Sequence, residues 1–458
     1  MRYHALAGEA AARLYANAEA IEHLSRAVDI CRATPEGIDE AQVAELFRRR
    51  GRVYEVAGRH DEALRNYEEL ERLGRERHSP TLELGGLMPQ APIYVTPTPY
   101  VDATRGGELA DRILALAERA DRPDAAAYGH WVLLLLHLNA APDGARAVEE
   151  GERALALARR HGLAELESFV MNDIARAYGL VGRTDDAFVA FEAAYERWRA
   201  VGNEPMMADV LGIWSQGLLL RGDLAGAERV AREGVDVGRR ISSPWAEAFP
   251  AHALGFAFME QGQTDKAIPL LFLVAELALQ AGFYTLVEVP TIMLRWVLGR
   301  SDKPTPEQER LAAIRAKLSE QSWSPEYAHV WSALDLYFAG DAAAAYDLLA
   351  AAANVPPDFN RIGPMAVFVA LILPATALAA GRPAEALAAV ERLLAEEAAF
   401  GFTTQHGEAY RLRGDALRQL GRDDEARAAY TLALEVATKQ GALRSIEPAR
   451  AALAEIRN

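Results

Sequence analysis

The chain of 458 residues has little of several residue types, and each scarcity excludes a class of protein. Its single cysteine, Cys31, cannot form a disulfide within the chain, and this usage favours a reducing cytoplasm. Lysine is nearly absent, and the formal net charge is -16. A nucleic-acid-binding surface needs clustered Lys and Arg to neutralise phosphates, so we expect no direct nucleic acid binding.

Long hydrophobic runs are also missing. The longest, "MAVFVALILPATALAAG", is interrupted by Pro374 and is shorter than the roughly 20 residues that cross a bilayer. The first residues do not have the charged, apolar and small-residue regions of a signal peptide. We therefore expect no membrane association.

Catalytic motifs are absent as well. No Gly-Lys dipeptide occurs, which excludes a P-loop, and none of the ten histidines precedes a glutamate, which excludes H-E-x-x-H. Ser215 in "GIWSQG" does not form a G-x-S-x-G motif. The sequence therefore predicts no enzyme, no cofactor and no metal site.

What the chain does have is a repeated unit of about 40 residues, marked by a turn glycine five residues before an alanine. The pairs are Gly58/Ala63, Gly182/Ala187, Gly222/Ala227, Gly262/Ala267, Gly340/Ala345, Gly381/Ala386 and Gly421/Ala426, and the same alanine recurs at Ala20 and Ala147. Two of the intervals between successive marker alanines are about twice the period, so each conceals one degenerate unit. Nine marked units and two hidden ones predict about eleven repeats.

Each unit is typical of two antiparallel helices. The glycine closes the first helix in the left-handed conformation, and Asp61, Asp185, Asp223 or Asp423 can cap the second. A small residue twelve positions before the alanine is matched by a bulky one four positions after it, as in Gly51 and Tyr67. Such hairpins bury their faces only by stacking on one another.

This pattern resembles the tetratricopeptide repeat, lengthened beyond the usual period of about 34 residues. The predicted fold class is all-α, a right-handed superhelical solenoid of about eleven antiparallel hairpins that forms a single domain over residues 1–458. Two stretches break the pattern. Prolines in residues 79–105 predict a broken or partly extended first helix, and residues 299–310 predict a lengthened turn.

The whole chain resembles the C-terminal repeat region of bacterial STAND-type regulatory ATPases, which include MalT-like and LuxR-family activators and proteins with adenylate or guanylate cyclase domains. The segments "ALAGEAAARLYANAEAIEHLSRAV", "PIYVTPTPYVDATRGGELADRIL" and "FEAAYERWRAVGNEPMMADVLGIWSQGLLLRGDLAGAERVAREG" carry the resemblance. It implies a sensor that follows an upstream ATPase module directly and that recognises an inducer or a partner.

A ligand is expected on the concave side, which the first helix of each hairpin lines. In the middle of the chain these positions are apolar and aromatic with a few polar groups, a composition typical of a small-ligand or peptide groove. The candidate polar contacts are Asn172, Asp173, Arg176, Gln216 and His252. The candidate walls are Trp214, Phe256, Trp296 and Trp331. The alternative is that these residues only pack the superhelix.

The sequence leaves several functions open. The first is a non-catalytic sensor and protein-interaction scaffold of a larger signalling regulator, bound by a protein or peptide partner or by a small-molecule inducer. The second is a free-standing adaptor that holds a peptide or a partner helix in its groove. An enzyme of unrecognised type is a third possibility, because helical-repeat folds occasionally host chemistry.

Overall fold

The structure, a computed structural model, describes residues 1–13, 16–33, 39–96, 100–281, 285–299, 303–319, 325–352 and 370–456. Within these ranges all regular secondary structure is helical. These ranges contain 23 helices, numbered α1 to α23, and successive helices such as α3 and α4 or α21 and α22 pack against each other. The predicted all-α fold of antiparallel hairpins is confirmed.

The chain divides into two compact units, residues 1–177 and 178–458, and the division falls inside α9 (Ala164–Leu180). Unit 1 also contains α1 Arg2–Arg13, α2 Asn17–Ala33, α3 Glu40–Val56, α4 His60–Arg77, α5 Pro80–Val95, α6 Ala103–Arg119, α7 Pro123–Leu135 and α8 Gly144–Arg160. A short π-helical segment, Leu136–Ala140, continues α7.

Unit 2 contains the remaining helices. They are α10 Thr184–Val201, α11 Glu204–Leu220, α12 Leu224–Arg240, α13 Pro244–Glu260, α14 Thr264–Ala281, α15 Thr285–Leu298, α16 Pro306–Ser319, α17 Pro325–Ala339, α18 Ala342–Ala352, α19 Ile372–Ala379, α20 Pro383–Phe400, α21 His406–Gln419, α22 Asp423–Gln440 and α23 Leu443–Ile456. The largest apolar cluster of this unit runs from α11 to α19 and includes residues of α22 and α23.

The predicted glycine turns are present. All seven turn glycines are left-handed, with φ between +69° and +95°, and the alanines that follow them are at most 3% exposed. Asp223 caps α12 by accepting a hydrogen bond from the Gly226 amide at 2.8 Å. The other three predicted caps are wrong, because α4, α10 and α22 begin early enough to place Asp61, Asp185 and Asp423 inside the first turn. At these positions the positive end of the helix dipole still stabilises the carboxylates.

The predicted pairing of small and bulky residues is confirmed. A Cβ atom at Gly51 would lie 2.1 Å from the Tyr67 ring, and one at Gly414 would lie 2.5 Å from the Tyr430 ring. The two tyrosines are almost fully buried. The helices of these hairpins therefore cross at a distance that no larger residue on the first helix permits.

The proline-rich segment contradicts the sequence prediction of a broken first helix in residues 79–105. Helix α5 is continuous from Pro80 to Val95. Pro80 is at the first turn, where its missing N–H costs nothing. Pro89 has no N–H to donate to the Gly85 carbonyl, and the side-chain amide of Gln90 donates to the neighbouring Gly86 carbonyl at 3.0 Å. The helix ends before Thr96, which is extended, as expected for a residue that precedes a proline.

The lengthened turn predicted at residues 299–310 is shorter than expected, because α16 begins at Pro306. Thr305 and Gln308 form a capping box: the Thr305 amide donates to Gln308 Oε1 at 3.1 Å, and the Gln308 amide donates to Thr305 Oγ1 at 3.3 Å. Seven residues, 299–305, thus join α15 to α16.

A further contact in unit 2 has no counterpart in the repeat pattern. The Thr403 amide donates to the Leu220 carbonyl at 2.7 Å, and Gln405 Nε2 donates to Glu260 Oε1 at 3.0 Å. Arg444 also pairs with Glu260 at 3.0 Å. We call this group of contacts the clasp. It joins the ends of α11 and α13 to segments more than 140 residues later in the chain.

Candidate ligand-binding site

Three of the predicted site residues lie on α9 in unit 1, and two of them belong to polar contacts between elements. Asp173 accepts a hydrogen bond from Trp131 Nε1 on α7 at 2.8 Å. Arg176 donates to Asn139 Oδ1 at 2.9 Å, and Asn139 in turn donates to the Val95 carbonyl at 3.0 Å. Asn172 is buried, with 3% of its surface exposed. These contacts join α5, α7, the π-helical segment and α9, and a ligand-binding role for the three residues stays a prediction.

The other six predicted residues lie in unit 2. Trp214 and Gln216 are half-buried on α11, and the Trp214 ring centroid is 6.4 Å from that of Tyr195. Phe256 on α13 has no exposed surface and belongs to the large apolar cluster. Because a wall of a binding groove has to present surface to the ligand, Phe256 acts in this structure as a packing residue.

His252 is also placed in the interior of α13. It is 5% exposed, and within the described residues neither ring nitrogen has a hydrogen-bond partner. Burial alone lowers its pKa to about 4, because an imidazolium without water or a counter-ion is poorly solvated. The histidine is therefore neutral at physiological pH.

Trp296 and Trp331 lie near the lengthened turn. Trp296 on α15 stacks on Tyr337 of α17, with ring centroids 5.7 Å apart and an interplanar angle of 16°. Trp331 on α17 is 2% exposed and lines a cavity of about 500 Å³ between α15, α16 and α17. We call this the α15–α17 cavity. Its lining residues are Arg295, Leu298, Gly299, Pro304, Gln308, Glu309, Leu311, Ala312, Arg315, Trp331, Asp335, Phe338 and Ala339.

Gln308 connects the start of α16 to the end of α15 beside the cavity. Its side-chain amide donates to the carbonyl oxygens of Leu298 and Gly299 at 3.2 and 3.1 Å. These carbonyls belong to the end of α15, where no further helical N–H is available to them. One side chain therefore ties the start of α16 to the end of α15 and holds the mouth of the cavity in place.

Four charged residues line the cavity, Arg295, Arg315, Asp335 and Glu309, and the two arginines share Asp335. Arg295 Nε donates to Asp335 Oδ1 at 3.2 Å, and Arg315 Nη1 donates to Asp335 Oδ2 at 2.7 Å. Each guanidinium also lies over an aromatic ring: Arg295 is 4.3 Å from the Phe338 centroid, and Arg315 is 4.8 Å from the Trp331 centroid. Ion pairing and cation–π contact together restrict both guanidiniums to one position.

Sequence reasoning identified Trp331 and the lengthened turn but missed the arginines. A signal for Arg295 was present. In regular units the residue 28 positions after one alanine marker is small, as at Ser215, Gly255 and Gly414, whereas Arg295 occupies this position after Ala267. Arg315 and Asp335 have no comparable signal, because each resembles an ordinary charged residue on a helix surface.

The structure contains neither a membrane-crossing helix nor a metal site in the part that it describes. No helix there is long and apolar enough to span a bilayer. No three His, Cys, Asp or Glu residues among the described ones are grouped as a metal ion would require.

Comparison with known proteins supports the repeat. Residues 407–440, which cover nearly all of α21 and α22, match the tetratricopeptide repeat family model. A search of curated proteins gives no match.

Solved structures with similar folds include several tetratricopeptide proteins. The P58(IPK) TPR domain is 14% identical, covers 99% of this chain and 98% of its own, and has a TM-score of 0.25. The human IFIT1 dimer with PPP-AAAA is 14% identical, with coverages of 95% and 90% and a TM-score of 0.43. Yeast Tom70 is 14% identical, with coverages of 92% and 97% and a TM-score of 0.35. None reaches a TM-score of 0.5, so none supports a functional assignment.

Proposed function

We propose that this chain is the sensor and protein-interaction region of a larger cytoplasmic signalling regulator of the STAND type, and that it catalyses no reaction itself. Stacked hairpins of the tetratricopeptide kind are suited to recognition, because they present long surfaces built from short repeated elements. The resemblance of the sequence to STAND regulators supports the parent context. In this proposal an upstream module of the parent protein hydrolyses the nucleotide, since this chain contains no P-loop motif.

The observation that carries the proposal is the α15–α17 cavity. Its volume of about 500 Å³ is in the range of small-molecule sites. Apolar side chains and a small number of fixed polar groups surround it, which is the composition that orients a ligand. It lies beside the connection between α15 and α16, where the repeat pattern of the sequence is interrupted. A ligand there contacts three successive helices and changes their relative stability.

The test is a thermal-shift screen of the whole chain against small metabolites and short peptides, followed by hydrogen–deuterium exchange of each hit. We expect stabilisation and slower exchange in residues 285–299, 306–319 and 325–339. A screen without hits, or hits that protect only other helices, contradicts the sensor proposal.

The parent context is tested separately on the gene. A reading frame that continues upstream of Met1 into a nucleotide-binding module supports it. A ribosome-binding site immediately before Met1, together with hits among peptides only, favours the free-standing adaptor instead.

A further inference from the structure

The α15–α17 cavity contains hydrogen-bond donors that the protein itself leaves unused. In the part of the chain that the structure describes, Arg315 uses only Nη1, which donates to Asp335. Its Nε and Nη2 atoms have no protein partner there. These two atoms form the side of a guanidinium that binds the two oxygens of a carboxylate in parallel.

The position of this donor edge is fixed before any ligand arrives. Asp335 holds one end of the guanidinium, and the Trp331 ring lies against its face at 4.8 Å. Arg315 lines the cavity, and 38% of its side chain is exposed. Binding to a group that is already oriented costs less conformational entropy than binding to a free arginine side chain.

Apart from the arginines, Asp335 and the polar residues Gln308 and Glu309 at the start of α16, the lining of the cavity is apolar. Leu298, Pro304, Leu311 and Ala339 surround the space beside the arginines. A ligand with a polar body would leave its hydroxyl or amide groups without partners against these side chains, at a substantial cost. A hydrocarbon or aromatic body gains free energy from the same surface.

We propose that the α15–α17 cavity binds a monocarboxylate with an apolar body, and that the Nε–Nη2 edge of Arg315 holds the carboxylate. Arg295 adds positive charge from the opposite side of Asp335, while its own Nε and Nη1 are engaged with Asp335 and the Gly299 carbonyl. The carboxylate can belong to a small acid or to the C-terminus of an apolar peptide. This inference rests on the proposed sensor function and specifies its ligand.

The experiment is isothermal titration calorimetry of the whole chain with matched pairs of probes. The small pairs are octanoate with octanamide and 4-phenylbutanoate with 4-phenylbutanamide. The peptide pair is acetyl-Ala-Ala-Leu-Phe with a free or an amidated C-terminus. We expect either the small acids or the peptide with a free C-terminus to bind. The matching amides should bind about tenfold more weakly or not at all.

Variants assign the effect to one guanidinium. Arg315→Gln removes the charge, and Arg315→Lys keeps the charge but removes the paired donors, so both weaken acid binding about tenfold or more. Arg310→Gln is the matched control on the same helix. Arg310 pairs with Glu276 at 2.7 Å and lies 4.4 Å from the Phe272 centroid, but it does not line the cavity. Circular dichroism verifies that each variant is folded.

The outcomes separate this inference from the sensor proposal. Equal binding of acids and amides, or equal losses in Arg315→Gln and Arg310→Gln, overturns the carboxylate site. If no acid binds while a different compound protects α15 to α17 from exchange, the inference fails and the sensor proposal stands. If nothing protects these helices, both fail.

Discussion

The hairpin of α21 and α22 and the hairpin of α15 and α16 solve the same packing problem in different ways. In the first, three residues join the helices, and Gly414 lies against the buried ring of Tyr430. In the second, seven residues separate the helices in the sequence, and Arg295 stands at the sequence position where regular units have a small residue. In the regular hairpin Gly414 and Tyr430 leave no room for a larger side chain, whereas the irregular hairpin borders a cavity of about 500 Å³. We attribute this cavity to the interruption of the repeat.

The largest effect is expected where the regular hairpin is most tightly packed. Tyr430→Ala removes a fully buried ring and its hydrogen bond to Asp415 at 2.6 Å, so the free energy of unfolding should fall by about 3–5 kcal/mol. Phe338→Ala at the cavity should cost less than about 2 kcal/mol, since that ring is half-buried. Urea denaturation followed by circular dichroism compares the two. Equal losses would remove the distinction between the hairpins.

The close crossing of the regular hairpin can be tested from the other helix. Gly414→Ala places a methyl group 2.5 Å from the Tyr430 ring and should cost about 1–3 kcal/mol. Gly179→Ala is the control, because a Cβ there meets no atom within 4 Å. Alanine is the better helix former, so this control should leave the protein unchanged or stabilise it by up to about 1 kcal/mol. Thermal unfolding of both variants measures the difference, and a loss in Gly179→Ala as large as in Gly414→Ala would contradict steric crowding.

His252 tests whether a predicted ligand residue is structural. Its folded pKa of about 4 lies below the unfolded value of 6.5, so the unfolded chain binds the proton first as the pH falls. Stability from this residue is therefore complete above pH 6.5 and decreases down to pH 4. When the pH falls from 7.5 to 5, the natural protein should lose about 2 kcal/mol of unfolding free energy through the protonation of His252 in the unfolded chain. His252→Leu should not show this loss.

Denaturant unfolding at the two pH values measures this change for both proteins. A constant difference between them would show that His252 does not titrate as a buried neutral group. If the natural protein binds a compound at pH 7.5 and His252→Leu does not bind it, His252 has the ligand role that the sequence predicted.

The smallest expected effect concerns the side chain of Thr403, whose amide belongs to the clasp. Thr403→Val removes the hydrogen bond from Thr403 Oγ1 to the Arg221 carbonyl at 2.6 Å, which is worth about 0.5–1.5 kcal/mol. Amide exchange near residues 219–222 should become faster. Thr431→Val is the control, because its hydroxyl bonds only to the Arg427 carbonyl within α22. If both variants accelerate exchange at residues 219–222 equally, the clasp does not hold this segment.

Much of the fold could be predicted because the repeat depends on local chemistry. A glycine that must adopt positive φ and an alanine that must fit a helix crossing leave their marks at fixed spacing, as Gly421 and Ala426 do. The continuity of α5 could not be predicted in this way. Pro89 and Pro92 each remove a hydrogen bond within the helix, and the helix still continues to Val95 while it packs against α4 and α6.

The candidate site was predicted in part, for a related reason. Trp331 and the long turn are visible in the sequence, because a bulky aromatic residue and extra prolines interrupt the pattern. The shared ion pair of Asp335 is not visible, since it joins three helices whose charged residues resemble solvent-exposed ones. The clasp is equally hidden. Thr403 and Leu220 are far apart in the sequence. A repeat pattern predicts contacts between neighbouring repeats only, so it does not predict this contact.

The most direct test of the ligand site is a crystal structure of the chain grown with 4-phenylbutanoate. The cavity hypothesis predicts the acid between α15, α16 and α17, with both carboxylate oxygens within hydrogen-bond distance of Arg315 and the phenyl ring against Leu298 and Leu311. An acid bound elsewhere, or one in the cavity with its carboxylate directed to solvent, would contradict it.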